Sequence, residues 1–155
     1  MRTIQVLIVD DCAVTRKMVQ RALCRAQFGA PVLEPANGQK NGLARVDSER
    51  WDECLTSVQA LEAASAADAL AILHANRVDL IFSDINMPGM DGLKFLRQVR
   101  SARETRDIPV VMITADASAS RVAEALAQGA NDYLKKPFSA QEVRDRTERL
   151  LGVRA

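Results

Sequence analysis

Short apolar segments alternate with longer amphipathic segments along most of this sequence, and this alternation restricts the fold more than any other feature. Three of the apolar segments are IQVLIV at 4–9, VDLIFSD at 78–84 and IPVVMIT at 108–114. Nearly continuous aliphatic runs of this length are typical of strands that are buried on both faces of a sheet. Their alternation with helical segments predicts an α/β domain built on a doubly wound parallel sheet.

The helical segments carry their own signals. After the first strand, apolar residues recur at helical spacings and predict a buried helix face: Val14, Met18, Val19, Ala22 and Leu23. A helix that ends near Gly129 is expected to precede a short strand at 132–135. The last helix is predicted to begin at Ser139, because Glu142 three residues later completes a capping box.

Polar residues follow the predicted strands at the points where each strand ends. They are three carboxylates, a hydroxyl and an ammonium: Asp10, Asp11, Asp84, Thr114 and Lys136. The carboxyl ends of parallel strands meet at one edge of a sheet, where functional groups gather in such folds. Clustered carboxylates repel one another unless a cation lies among them, and a set of oxygen ligands suits Mg²⁺. A carboxylate in such a cluster can also attack phosphorus as a nucleophile.

Each of these residues taken alone also has a purely structural explanation. Asp10 and Asp11 can cap a helix. Thr114 can be an ordinary strand-end hydroxyl, and Lys136 can be a surface charge. Five such residues at consecutive strand ends favour a shared site over five separate structural roles.

The composition is that of one ordinary globular domain. Of the 155 residues, 48% are hydrophobic and 26% are charged, which is enough apolar surface for a core. Lys and Arg total 21 and Asp and Glu total 20, a balance that argues against a nucleic-acid binder dependent on bulk positive charge. Three cysteines, with no long apolar run and no signal peptide, predict a cytoplasmic protein with reduced thiols.

Four blocks of the sequence occur in an order typical of one family. They are VLIVDD at 6–11, SDINMPGMDGLKF at 83–95, VVMITA at 110–115 and GANDYLKKPF at 129–138. In these blocks the chain resembles the receiver domain of bacterial two-component response regulators. The resemblance implies a flavodoxin-like fold with five parallel strands flanked by helices. It also implies a phosphorylation-controlled switch, of the single-domain chemotaxis type, with no enzyme activity beyond its own phosphorylation and dephosphorylation.

The resemblance assigns a role to each residue of the strand-end cluster. Asp84 would accept a phosphoryl group from a sensor histidine kinase or a histidine phosphotransfer protein. The ligands of Mg²⁺ would be Asp10, Asp11, Asp84 and the main-chain carbonyl of Asn86. The residues that bind the phosphoryl group and relay the switch would be Thr114, Ala115, Tyr133 and Lys136, with a cis peptide bond before Pro137. Asn86 and Asp116 match positions that tune the lifetime of the phosphorylated state.

The spacing between the first and second carboxylate blocks is too long for this fold. From Asp10 to Asp84 is 74 residues, whereas two strand-helix units need about 45 to 50. An insertion between the first helix and the second strand is therefore predicted at about 29–57, as an extended hairpin or a disordered loop. The second strand is placed at ALEAAS (60–65), although VLEPANG (32–38) is a possible earlier copy. In the favoured register the insertion lies at the amino ends of the strands, opposite the carboxylates.

The whole chain, 1–155, is thus interpreted as one receiver domain without an effector domain, so its output would pass to another protein rather than to DNA or a membrane. Candidate contacts on the last two helices and the strand between them are Arg121, Lys135 and Arg144.

A phosphatase that forms an aspartyl phosphate would share the acidic pocket, but it needs a second Asp two residues after the first, where Cys12 stands. The neighbouring carboxylates are expected to raise the pKa of the Cys12 thiol. A receiver that serves only for docking is the third interpretation.

Overall fold

The computed structural model describes residues 3–25, 57–87, 89–116 and 118–151, and within these ranges it has five strands and five helices. The strands are β1 (Thr3–Val9), β2 (Ser57–Ala63), β3 (Leu80–Asp84), β4 (Val110–Thr114) and β5 (Asp132–Lys135). The helices are α1 (Ala13–Arg25), α2 (Ala66–Ala75), α3 (Gly92–Ser101), α4 (Ala119–Ala127) and α5 (Ala140–Leu151). The predicted doubly wound five-stranded sheet is confirmed: all pairings are parallel, and the strand order is β2-β1-β3-β4-β5.

The three central strands are buried on both faces, as their aliphatic sequences predict. On β1, Leu7 and Val9 belong to the core cluster beneath α2, α3 and α4, whereas Val6 and Ile8 belong to the cluster beneath α1 and α5. Every residue of β3 and β4 is buried. This burial fixes the sheet rigidly, so the residues at its carboxyl edge are held on a stable base.

The second strand is the later of the two candidate segments. Ser57 pairs with Thr3 at the start of the β1–β2 ladder, and Ala63 pairs with Val9 at its end. The earlier candidate (32–38) and nearly all of the predicted insertion lie outside the described residues, so the insertion stays a prediction. Ser57, its last predicted residue, belongs to β2.

The buried face of α1 differs from the prediction. Val14 and Met18 are 67% and 44% exposed, whereas Val19 and Leu23 are fully buried. The helix directs Thr15, rather than Val14, into the core. Successive helical residues are rotated by about 100°, so Met18 lies just beyond the edge of the buried face and Val14 lies further around the helix.

Helix ends carry the predicted signals. The capping box at the start of α5 is confirmed: the main-chain nitrogen of Ser139 donates to Glu142 Oε2 at 2.8 Å, and the nitrogen of Glu142 donates to Ser139 Oγ at 3.1 Å. Gly129 follows α4 with φ of +105°, a backbone conformation that favours glycine. Across the described residues, no helix combines the length and the apolar character needed to cross a membrane.

Candidate functional site

The carboxyl edge of the sheet brings together residues from all three central strands and from the loop after β5. Asp10 follows β1, Asp84 ends β3, and Thr114 ends β4. All three are buried, with exposed fractions of 0%, 5% and 2%. Asp11 is exposed at the rim, and Lys136 enters from the loop after β5. The five strand-end residues of the sequence therefore lie at one edge of the sheet.

One ammonium bridges the two buried carboxylates. Lys136 Nζ lies 3.0 Å from Asp10 Oδ2 and 3.3 Å from Asp84 Oδ2. The other oxygen of each carboxylate accepts a main-chain N–H two residues further along: Cys12 N donates to Asp10 Oδ1 at 2.8 Å, and Asn86 N donates to Asp84 Oδ1 at 3.2 Å. Both carboxylates are thus held at both oxygens, which fixes the direction in which they face.

The site has more negative than positive charge. Ligand oxygens of Asp10, Asp11 and Asp84 all lie within 4.8 Å of one another. Burial, and then the charge of Asp10, raise the pKa of Asp84 above its ordinary value, and Lys136 only partly offsets this. Burial opposes the charged form of Lys136, but its hydrogen bond to Asp10 and the charges of Asp84 and Asp10 raise the pKa of its ammonium overall.

This set of ligands fits a hard divalent cation. Three carboxylates and one ammonium carry a formal charge of −3 + 1 = −2, which one divalent ion neutralises. The available donors are all oxygens, the ligands that Mg²⁺ prefers, and the exposed position of Asp11 leaves room for the water that Mg²⁺ retains.

The Thr114 hydroxyl is engaged by the loop that follows β4. It donates to the carbonyl of Asp116 at 2.8 Å and accepts the N–H of Asp116 at 3.0 Å. The carboxylate of Asp116 accepts a hydrogen bond from Ser118 N at 3.0 Å, and hydrogen bonds from Ser118 lower the pKa of Asp116. Ala115, between Thr114 and Asp116, is exposed. The loop thus forms a compact turn around the threonine side chain.

The remaining residues predicted for the site lie near its rim or on β5. Asn86 is exposed and follows Asp84 in the loop toward α3. Tyr133 is half-buried on β5, where it pairs in register with Met112. The peptide bond between Lys136 and Pro137 is cis, and the N–H of Lys136 donates to the carbonyl of Thr114 at 2.8 Å.

The predicted contact residues lie on α4, β5 and α5. Arg121 forms an ion pair with Glu124 at 3.7 Å, and Arg144 donates to Gln141 at 3.0 Å. Lys135 is exposed on β5. Arg144 also lines a cavity with Met18, Arg21 and Ala22, so it lies on the side of α5 that faces α1 rather than β5.

The expectation for Cys12 is wrong. Its thiol is exposed at the start of α1, and hydrogen bonds from Thr15 and from the main chain of Val14 lower its pKa. Repulsion by Asp10 acts in the opposite direction but is a smaller effect. The hydrogen bonds at the first helical turn therefore affect the pKa of the thiol more than the nearby carboxylates do.

Two features of the site were missed in the sequence. Gly92, the first residue of α3, packs so closely that a side chain there would overlap the Asp84 carbonyl oxygen and lie 2.7 Å from the Cα of Ile85. The Asp-Gly pair at 91–92 is the signal that marks it. Arg16 is the second: its Nη1 donates to the carbonyl oxygen of Asp10 at 2.6 Å. An arginine on an amphipathic helix gives no signal of such a contact.

Comparisons with known proteins agree on one family. A family model described as response regulator receiver domain matches residues 53–148. The chain is 39% identical over 89 residues to chemotaxis protein CheY of Pseudomonas aeruginosa, an alignment that spans 57% of this chain and 72% of that protein. It is 28% identical over 149 residues to chemotaxis protein CheY-3 of Vibrio cholerae, spanning 96% of this chain and 92% of the relative.

Solved structures give the same result. The structure of V. cholerae chemotaxis protein CheY4 superimposes with a TM-score of 0.72 at 28% identity, over 96% of this chain and 99% of that one. The family match begins after Asp10 and Asp11 in the sequence. The structure nevertheless places both residues beside Asp84, because β1 pairs with β2 on one side and β3 on the other.

Proposed function

The chain belongs to the response regulator receiver domain family, and on this premise we propose that Asp84 accepts a phosphoryl group from a phosphohistidine in a Mg²⁺-dependent transfer. The observation that carries the proposal is the position of Lys136, which bridges two buried carboxylates at the carboxyl edge of the sheet. An ammonium held there can neutralise charge on the oxygens of a phosphoryl group carried by Asp84. Members of this family act as phosphorylation-controlled switches in two-component signalling.

The transfer is a displacement at phosphorus. A carboxylate oxygen of Asp84 forms a new O–P bond while the P–N bond to the donor imidazole breaks, and the imidazole nitrogen keeps the electron pair. The hydrogen bond from Asn86 N holds the carboxylate in place, and Lys136 neutralises charge on the phosphoryl oxygens. Asp10, Asp11, Asp84 and the main-chain carbonyl of Asn86 would hold Mg²⁺, which supplies further charge neutralisation when bound.

The switch starts from the Thr114 hydroxyl. To donate to a phosphoryl oxygen, this hydroxyl must give up its hydrogen bond to the Asp116 carbonyl. The loop after β4 then rearranges, and Tyr133 and the surface formed by α4, β5 and α5 change with it. Arg121 and Lys135 are candidate contacts for a downstream protein on that surface, and Arg144 is a further candidate on the side of α5 that faces α1.

Reversal of the switch is hydrolysis. Water attacks phosphorus and the O–P bond to Asp84 breaks, which gives inorganic phosphate and the free Asp84 carboxylate. In this proposal the only phosphoryl chemistry of the chain is its own phosphorylation and dephosphorylation. Asn86 and Asp116 are exposed beside Asp84 and Thr114, where an amide and a carboxylate can order the attacking water. We place this cycle in the cytoplasm, with a histidine kinase or a histidine phosphotransfer protein as donor and a protein as target. The exposed thiol of Cys12 suits a reducing compartment.

The test is phosphorylation by a small-molecule donor. Wild-type protein incubated with acetyl phosphate and Mg²⁺ is expected to gain the mass of one phosphoryl group, measured on the intact chain. Asp84→Asn should show no gain, and removal of Mg²⁺ with a chelator should prevent it in the wild type. Asp107→Asn is the matched control, because this carboxylate is exposed and lies outside the cluster. A phosphoryl adduct of equal yield on the Asp84 variant would refute the proposal.

A further inference from the structure

We propose that Arg16 is a positioning residue for the metal site, and that its ion pair with Glu62 offsets its positive charge. The inference rests on the proposed function, because it concerns the same carboxylates. Arg16 donates a hydrogen bond to a main-chain carbonyl rather than to a carboxylate of the cluster. It acts instead on the main chain that carries two of the proposed ligands, Asp10 and Asp11.

The contact is with a peptide group between the two ligands. Arg16 Nη1 donates to the carbonyl oxygen of Asp10 at 2.6 Å, and that carbonyl belongs to the planar peptide that joins Asp10 to Asp11. Only 17% of the Arg16 side chain is exposed, so the contact is not a chance position of a mobile surface group. Holding this peptide plane fixes the direction in which Asp11 leaves the strand. Asp11 itself is exposed and needs such support.

The other groups of Asp10 are held as well. Its N–H donates to the carbonyl of Ala63 on β2 at 3.1 Å, and its two carboxylate oxygens accept from Cys12 N and Lys136 Nζ. Arg16 therefore completes the set, because it binds the only main-chain acceptor that Asp10 has. With all four groups engaged, the turn from β1 into α1 is preorganised for a cation.

Glu62 of β2 forms an ion pair with the guanidinium, although the buried Nε of Arg16 makes no hydrogen bond within the described part of the chain. Its Oε1 lies 3.5 Å from Arg16 Nε, and its Oε2 lies 3.2 Å from Lys17 Nζ. The pairing also reduces the positive field of Arg16 at the carboxylate cluster. A cation this near a site for Mg²⁺ opposes metal binding by repulsion, so its positive charge alone cannot explain a favourable role.

The two effects of Arg16 have opposite signs, which makes the inference testable. Loss of the charge alone should tighten Mg²⁺ binding, whereas loss of the support to the Asp10–Asp11 peptide should weaken it. Lys17→Met is the matched control, since it removes the same charge from the same helix and the same Glu62 partner but breaks no contact with Asp10.

The experiment is a calorimetric titration of unphosphorylated protein with Mg²⁺. Arg16→Met is expected to weaken Mg²⁺ affinity about tenfold, at the low end for residues that orient metal ligands. Arg16→Lys is also expected to weaken it, although the charge is kept, because one ammonium cannot replace the two contacts of the guanidinium. Lys17→Met should bind as tightly as the wild type or slightly more tightly. Urea unfolding establishes that each variant is folded, and Arg16→Lys decides the question if Arg16→Met does not fold.

The inference is overturned if Arg16→Met and Arg16→Lys keep wild-type affinity or exceed it, or if Lys17→Met weakens binding as much as they do. Asp11→Asn distinguishes this failure from failure of the proposed function. If wild-type protein does not bind Mg²⁺, or if Asp11→Asn binds it equally well, the proposed metal site is wrong and the role of Arg16 falls with it. If Asp11→Asn loses binding and the Arg16 variants do not, only the inference is wrong.

Discussion

Replacement of Arg100 by Met should cost more stability than its position near the surface suggests. The guanidinium lies at the end of α3 and joins the segments that enter β4 and β5. Its Nε and Nη2 donate to the carbonyl of Gly129 at 3.0 and 2.8 Å. Its Nη1 donates to the carbonyl of Ile108 at 2.6 Å and to that of Arg106 at 3.0 Å, and Nη2 also donates to Asn131 Oδ1 at 2.8 Å.

The magnitude follows from which of these bonds are shielded from water. The bonds to Arg106 and Asn131 are exposed, so water replaces them at little cost. The bonds to Gly129 and Ile108 are partly buried, and each carbonyl that loses its charged donor costs about 1 to 2 kcal/mol. The expected loss is therefore about 2 to 4 kcal/mol in the free energy of unfolding. The apolar stem, which packs on Gly129, is largely retained in Met.

The assay is urea unfolding followed by circular dichroism, with Arg97→Met as the matched control. Arg97 is an exposed arginine on the same helix, and its replacement should change the free energy of unfolding by less than about 0.5 kcal/mol. Arg100→Lys keeps the charge but lacks the planar set of donors that spans the Gly129 and Ile108 carbonyls, so it should lose at least half as much as Arg100→Met. The reasoning is refuted if Arg100→Met is no less stable than Arg97→Met, or if Arg100→Lys matches the wild type. Because these contacts lie at the amino ends of the strands, phosphorylation of the folded variant should be unaffected.

Three further predictions concern the carboxyl edge of the sheet. Asp84→Asn should stabilise the protein at neutral pH without Mg²⁺. The pKa of Asp84 is raised in the folded state, so the folded protein binds more protons than the unfolded chain. The stability of the wild type therefore falls as the pH rises above about 4 and through the folded-state pKa. Urea unfolding at several pH values should give a flatter profile for the variant, and a parallel profile would contradict this assignment. Gly92→Ala should lower the free energy of unfolding by about 3 kcal/mol in thermal unfolding, because the new methyl group meets the backbone of Asp84 and Ile85 rather than a movable side chain. A loss below about 1 kcal/mol would show that α3 shifts easily to accommodate the methyl group. Simultaneous replacement of Asn86 and Asp116 by Leu should slow the decay of the phosphorylated protein roughly tenfold, as followed by the mass of the intact chain. An unchanged rate of decay would show that these residues take no part in hydrolysis.

The elements of the sheet could be predicted because each carries a local signal. The apolar run at 108–114 predicts a strand, and residues 110–114 form it; the short strand at 132–135 is predicted by its place between two helices. The carboxylates at the strand ends followed from the topology alone. Once the strands were parallel, Asp10 and Asp84 had to lie at the same edge.

What could not be predicted depends on contacts between residues that are distant in the chain or on the orientation of one helix. The link from Arg16 to Glu62 crosses from α1 to β2, and it exists only because β2 lies beside β1. The exposure of Val14 depends on how far α1 is rotated on the sheet, which apolar spacing defines only to within about one residue. The pKa of Cys12 depends on N–H groups at a helix end, which residue types do not reveal.

If Thr114 is the switch residue, as proposed, its two hydrogen bonds with the main chain of Asp116 would also set how often the unphosphorylated protein adopts the signalling arrangement. If each contributes about 1 kcal/mol, the resting arrangement is favoured by about 2 kcal/mol, or roughly 30-fold. On the proposed mechanism, about 3% of molecules would then display the released loop without any phosphoryl group. Such a basal population would fix the minimum output in the absence of phosphorylation. A stimulus would have to phosphorylate more than this fraction of the molecules before a downstream partner could detect it.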